Sequence, residues 1–195
     1  MIQVPQPPQK LTFEEYLTFS DGSDKCYELI DGALIPLPPE SGLNTDIAGF
    51  LYLKLCEWAN FKLIKIYCCE IQVKGNPQNR WPDLVVLKEA HLQLTQRRLT
   101  MTLQMPAPRL VVEVVSPDWE NRQRDYQAKR KQYETRGILE YWIVDPQEER
   151  VTVLNLSPAG QYQAAVYQGE LAIMSSEFPE LQLTAAALLR AGDQQ

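Results

Sequence analysis

Apolar and polar positions repeat along this chain with two periods, and the places where the period changes mark its elements. Thr12 followed three residues on by Glu15 is a capping-box signature for a short helix through Phe19, which Asp21-Gly22 ends. Residues 27–30 and 33–37 flank Asp31-Gly32, a dipeptide suited to a two-residue hairpin turn. Ile47, Phe50, Leu51, Leu55 and Trp58 recur at helical spacing, which predicts an amphipathic helix over 44–60. Residues 63–73 are apolar and β-branched with alternation and predict a strand; Gly75-Asn76-Pro77 turns the chain, and 83–87 predict another. The stretch 88–108 is ambiguous, a short helix or loop around 91–94 and then an extended approach to Pro106. Residues 109–115, RLVVEVV, form a nearly continuous apolar run, the mark of a strand buried on both faces. A helix over 119–136 is stopped by Gly137, and 141–144 give the next central strand before Asp145-Pro146. An outer hairpin over 151–156 and 162–167 and a terminal helix over 183–189 complete the pattern.

With 195 residues, 45% of them hydrophobic, and neither a repeat nor a linker, a single domain over 1–195 is expected, its first ten residues flexible. No apolar run approaches the ~18 residues needed to cross a bilayer, so no membrane partner is expected. Met1 to Lys10 is rich in Pro and Gln and does not read as a signal peptide, which points to the cytoplasm. Cys26, Cys56, Cys68 and Cys69 lack metal-site spacing and the single His91 cannot complete a zinc cluster. They read as buried thiols, although the vicinal Cys68-Cys69 pair could be a redox device. The net charge of -6 argues against bulk coating of nucleic acid. Between Glu120 and Arg136, however, Arg122, Arg124, Lys129, Arg130, Lys131 and Arg136 outnumber the acids. That strip could hold phosphate, with Arg122, Arg124 and Arg130 as candidates.

Glu113, in the middle of the apolar run, is the anomaly. A buried carboxylate costs several kcal/mol unless it is paired or binds a metal. Asp83, at the start of its own strand after Trp81-Pro82, is within reach of a neighbouring strand, and the two together could hold one divalent ion. Turn or strand-cap chemistry for Asp83, and a salt bridge from Glu113 to Lys129 or Arg109, are the plainer alternatives. In the following helix Tyr126, Lys129 and Tyr133 fall on one stripe, and Asp125 stands one turn before Lys129, where it could hold the ammonium in place. The plainer reading of Lys129 is a stem packed on the tyrosines with its head in water.

Four blocks in order, YELIDG at 27–32, RWPDLVVL at 80–87, LVVEVVSP at 110–117 and DYQAKRKQYETRGILEYWIVDP at 125–146, resemble the successive motifs of the Uma2 (DUF820) family. That family is placed in the PD-(D/E)xK nuclease superfamily. The resemblance implies an α/β (α+β) fold: a restriction-endonuclease-like mixed β-sheet flanked by helices, with an αβββαβ core, an N-terminal helix and hairpin and a C-terminal β-hairpin. It implies Asp83 and Glu113 as metal ligands for Mg²⁺ or Mn²⁺, and Glu28 as an extra acid. Glu28 could bind a second ion or align water, or be only an exposed hairpin residue. Val115 departs from the pattern, standing where the strand motif would have lysine, so the lysine role passes to Lys129 in DxxxKxxxY, with Asp125 and Tyr133 in support. Asn44 departs too, where many relatives have histidine. The implied activity is an endonuclease that hydrolyses phosphodiester bonds of DNA by metal-activated water. The alternative is an inactive nuclease fold that binds nucleic acid or protein. Tyr141, Trp142 and the apolar outer hairpin suggest a homodimer.

Overall fold

The computed structural model describes residues 10–23 and 25–192, so the expectation for residues 1–10 falls, Lys10 apart, outside the described residues. Thr12 caps α1 (Phe13–Thr18) and exchanges hydrogen bonds with Glu15 as a capping box. β1 (Tyr27–Ile30) and β2 (Ala33–Pro36) form the first hairpin. Asp31 and Gly32 in its turn both take positive φ, 50° and 81°, as a two-residue turn matched to strand twist requires. α2 (Gly42–Cys56) is capped by Ser41 and stops short of the expected Asn60. Asn60 instead accepts from the Lys62 N–H and caps a 3₁₀ turn, an alternative to the helix that asparagine side chains offer the backbone.

The segment 63–73 is not one strand. β3 (Ile64–Ile66) and β4 (Glu70–Gln72) lie in different sheets, with Tyr67 between them at φ 53°. Each piece keeps its alternation, and the left-handed residue sends the chain from one sheet to the other. β5 (Asn79–Arg80), β6 (Leu84–Val86), α3 (Glu89–Leu94), β7 (Thr100–Met101) and β8 (Leu110–Val114) follow. The expected helix over 119–136 is continuous but mixed: α4 (Trp119–Gln123), a π-helical segment (Arg124–Lys129) and α5 (Arg130–Arg136), closed by Gly137 at φ 79°. β9 (Glu140–Asp145), β10 (Arg150–Leu156), β11 (Tyr162–Gln168) and α6 (Ala185–Leu189) complete the chain.

The main sheet has the order β11-β10-β9-β8-β6-β3, with β8 and β9 parallel and the other neighbours antiparallel. Running α2, β3, β6, β8, α4 to α5 and β9, it has the expected αβββαβ order. A second sheet, β5-β4-β7, was not anticipated. It is tied to the first hairpin by buried Asn79, whose side chain accepts from the Leu29 N–H and donates to Glu70 and to the Tyr27 carbonyl.

The two faces of the main sheet bury separate cores. Leu84, Val86, Leu110, Val112 and Trp142 pack under α2 and α6, while Val85, Val111, Val115, Tyr141 and Ile143 pack with Tyr133 of α5. Alternation along β8 therefore turns Glu113 toward α4 and α5. Val115 is 3% exposed in that second core, which accounts for its apolar side chain. The cysteines differ from expectation: Cys69 is buried, but Cys26 and Cys56 are half-buried and Cys68 is exposed, because 67–69 is the turn between sheets and not strand. Glu140 is fully buried and accepts five hydrogen bonds, from Trp142, Ser175, Ser176 and Glu177, which lash the C-terminal segment to β9. No helix among the described residues is long and apolar enough to cross a membrane.

Candidate active site

Strand register brings the two predicted carboxylates together. β6 and β8 pair Leu84 with Val112 and Val85 with Val111, so Asp83, just before β6, and Glu113, one residue past Val112, stand at the same end of the ladder and line one cleft. One Asp83 oxygen accepts from the Val114 N–H. Both Glu113 oxygens are engaged: Oε2 accepts from Lys129 Nζ at 2.7 Å and Oε1 from the Tyr133 hydroxyl at 2.6 Å. Lys129 Nζ also reaches Asp125 Oδ1 at 2.8 Å. All four charged groups are buried, Asp83 and Lys129 at 5% exposure, Glu113 at 2% and Asp125 at 1%.

The π-helical segment delivers this arrangement. A π turn holds more residues than an α turn, so residues four apart move into line and residues three apart rotate away. Asp125 and Lys129 accordingly meet, and Tyr133 joins Lys129 on Glu113. Tyr126 packs against the same core as Tyr133, and its hydroxyl donates to Asp145 Oδ2 at 3.0 Å instead of entering the carboxylate cluster.

Burial pushes the Asp83 carboxyl well above the usual carboxylate range, and the Glu113 carboxylate adds to the push while Lys129 opposes it. Burial likewise raises Glu113 against the pull of Lys129. Burial works against the Lys129 ammonium, but Asp125 and Glu113 outweigh it and hold the charge on. The Tyr133 phenol, raised by burial and by Glu113, stays a neutral donor.

These groups open onto a cleft of about 310 Å³ lined also by Glu28, Glu40, Trp81, Asp118, Asn121 and Arg124. Six carboxylates thus face two cations there. Glu28 is 13% exposed and pairs with Arg80 at 2.9 Å, so it is not a free hairpin residue. Arg124 is 38% exposed at the rim and pairs loosely with Asp125 at 3.4 Å. Arg122 is drawn away from the cleft to Asp145 at 2.7 Å and Glu148 at 3.5 Å. Arg130 is half-buried and does not line the cleft. Asn44 donates to the Val114 carbonyl and to Ser116, both at 3.2 Å, and clips the start of α2 to the end of β8. Glu40, Asp118 and Asn121 had no signal in the sequence, since each sits in a loop or at a helix start where such residues are common.

Among the described residues no three of His, Cys, Asp or Glu cluster closely enough to enclose a metal ion. The donor set fits a hydrated hard cation instead, held by one or two carboxylates with the rest of its shell left to water and substrate. Three buried carboxylates against one ammonium leave negative charge for such an ion to balance.

A family model described as "Uma2: Putative restriction endonuclease" matches residues 13–186. Among solved structures, "a putative nuclease belonging to DUF820" from Anabaena variabilis superposes with a TM-score of 0.64 at 18% identity, over 93% of this chain and 99% of that one. At this identity the likeness is one of fold. No curated protein matches the sequence.

Proposed function

The chain belongs to the Uma2 family of nuclease-like proteins, and from that premise we propose that its cleft hydrolyses phosphodiester bonds of DNA with Mg²⁺ or Mn²⁺ held by Asp83 and Glu113. The observation that carries this reading is that Asp83 and Glu113 line one cleft at the same end of the β6–β8 ladder beside a buried, charged lysine. When bound, the ion supplies Lewis-acid charge and an acidified water. Lys129 is placed to neutralise charge gathering on phosphate oxygens, and Asp125 holds its ammonium there. Tyr133 fixes one oxygen of Glu113 and so its orientation. Arg124 at the rim is the arginine best placed for a phosphate, whereas Arg122 and Arg130 can meet only more distant parts of a polymer. Glu28, bound to Arg80 on the cleft wall, is placed to orient water. Lys129 supplies from the helix the cation that Val115 does not supply from the strand.

A second reading, a nuclease fold that binds nucleic acid or protein without cutting, is favoured by the engagement of both Glu113 oxygens by Lys129 and Tyr133. Incubating plasmid and single-stranded DNA with the protein in Mg²⁺, Mn²⁺ or EDTA decides between them. Cleavage is expected with metal only, and Glu113→Gln is expected to remove it. Metal-independent DNA binding with no cutting of either form would leave the second reading standing.

A homodimer belongs to the same proposal. β11 is an edge strand that leaves Ala164, Ala165 and Val166 exposed, with Val166 at 52%, and carries no lysine or proline to blunt it. Light scattering at micromolar concentration should give twice the chain mass of 22.4 kDa. A monomer mass counts against the dimer.

A further inference from the structure

Tyr67 stands at the turn between the two sheets with a backbone that tyrosine rarely adopts, at φ 53°. Its N–H donates to the Asp83 carbonyl at 3.0 Å, so its position is fixed to the start of β6. Its hydroxyl is buried and has no hydrogen-bond partner. Thr45 lies beside it on α2 but is not within hydrogen-bonding geometry of it, and its own hydroxyl donates to the Ser41 carbonyl at 2.8 Å. Buried polar groups in folded proteins are almost always partnered, so an orphan donor on a residue whose backbone is bonded to Asp83 calls for an acceptor. A strained residue with an unused donor, anchored to a candidate ligand, also fits the tendency of backbone strain to collect at functional sites.

We propose that the Tyr67 hydroxyl is a positioning group for the cation site, donating a hydrogen bond into the oxygen shell at Asp83 once an ion is held there. The inference rests on the reading of Asp83 and Glu113 as ion ligands. Partners of this kind behind a ligand carboxylate fix its orientation, and losing one typically costs about 10- to 100-fold in metal affinity.

Tyr67→Phe removes only an oxygen that has no partner in the metal-free protein, so the fold should not suffer. Mn²⁺ binding to the full chain, followed by calorimetry and by the electron spin resonance signal of free Mn²⁺, is measured beside thermal melting in EDTA. The expected result is binding weakened about 10- to 100-fold, with melting unchanged or raised. Equal Mn²⁺ affinity in the variant and the parent overturns the role of Tyr67 and leaves the Asp83 and Glu113 reading intact. A parent chain that binds no Mn²⁺ overturns both. A clear fall in melting without metal shows the hydroxyl to be a structural partner and overturns the inference as well.

Discussion

Asp83→Asn is expected to abolish cleavage and, without metal, to leave a more stable protein than the parent. Asp83 is 5% exposed, takes a hydrogen bond from the Val114 N–H, and lines the same cleft as Glu113. Its carboxyl is pushed well above its ordinary value of 3.8, first by burial and then by Glu113, so the charged form is a cost to the fold at neutral pH. Asparagine keeps an oxygen for Val114 and sheds that cost, a gain of about 1–2 kcal/mol. For a chain of this size that is roughly 2–8 °C in melting temperature. The pH dependence has a definite sign. A carboxyl whose folded pKa lies above its unfolded one destabilises increasingly as pH rises between the two values. The advantage of the variant should therefore vanish near pH 3.8 and be largest at neutral pH. Calorimetry in EDTA across this range checks it, and a lower melting temperature at pH 7 would show Asp83 to be part of the fold's own bonding.

Lys129→Met should do the reverse. Among the described residues its ammonium is the one cation in contact with both Glu113 and Asp125, at 2.7 and 2.8 Å, and all three groups are buried. Replacing it leaves Glu113 without a counter-charge and Asp125 with only the loose contact to Arg124 at 3.4 Å, a loss of about 3–5 kcal/mol, together with the loss of cleavage. Glu113 is already raised above its ordinary 4.5 by burial, and without Lys129 nothing comparable holds it down. The penalty should shrink as pH falls toward 4.5, where the carboxyl protonates in folded and unfolded chains alike. Urea unfolding at neutral and acid pH measures this. A loss below about 1 kcal/mol at neutral pH would mean that the ammonium is not enclosed as described.

Much of this arrangement could be read before the structure because it rests on strong local patterns. A single Glu in an apolar run can be noticed by itself, and Asp125 one turn before Lys129 can be paired on helix geometry alone. The hairpin at Asp31-Gly32 likewise needs only two residues that tolerate positive φ. What could not be read depends on distant partners or on geometry that leaves the pattern unchanged. Alternation runs through 63–73 on both sides of Tyr67, so nothing in it marks the residue that divides the strand. The sequence RDYQAK suits an α-helix as well as a π-helix, so the widened turn has no mark in it. The sequence offers Arg122 as a phosphate ligand, but Asp145, 23 residues on, holds it.

The π-helical segment also bears on how this chain should be lined up with its relatives. One widened turn lies between Asp118, which caps the helix, and Lys129, which enters the cleft. A relative whose helix is regular throughout would span the same distance with one residue fewer. Its lysine would then fall one column away in an alignment while standing in the same place in space. Judging whether that lysine is present by column alone would miscount the family members that carry it.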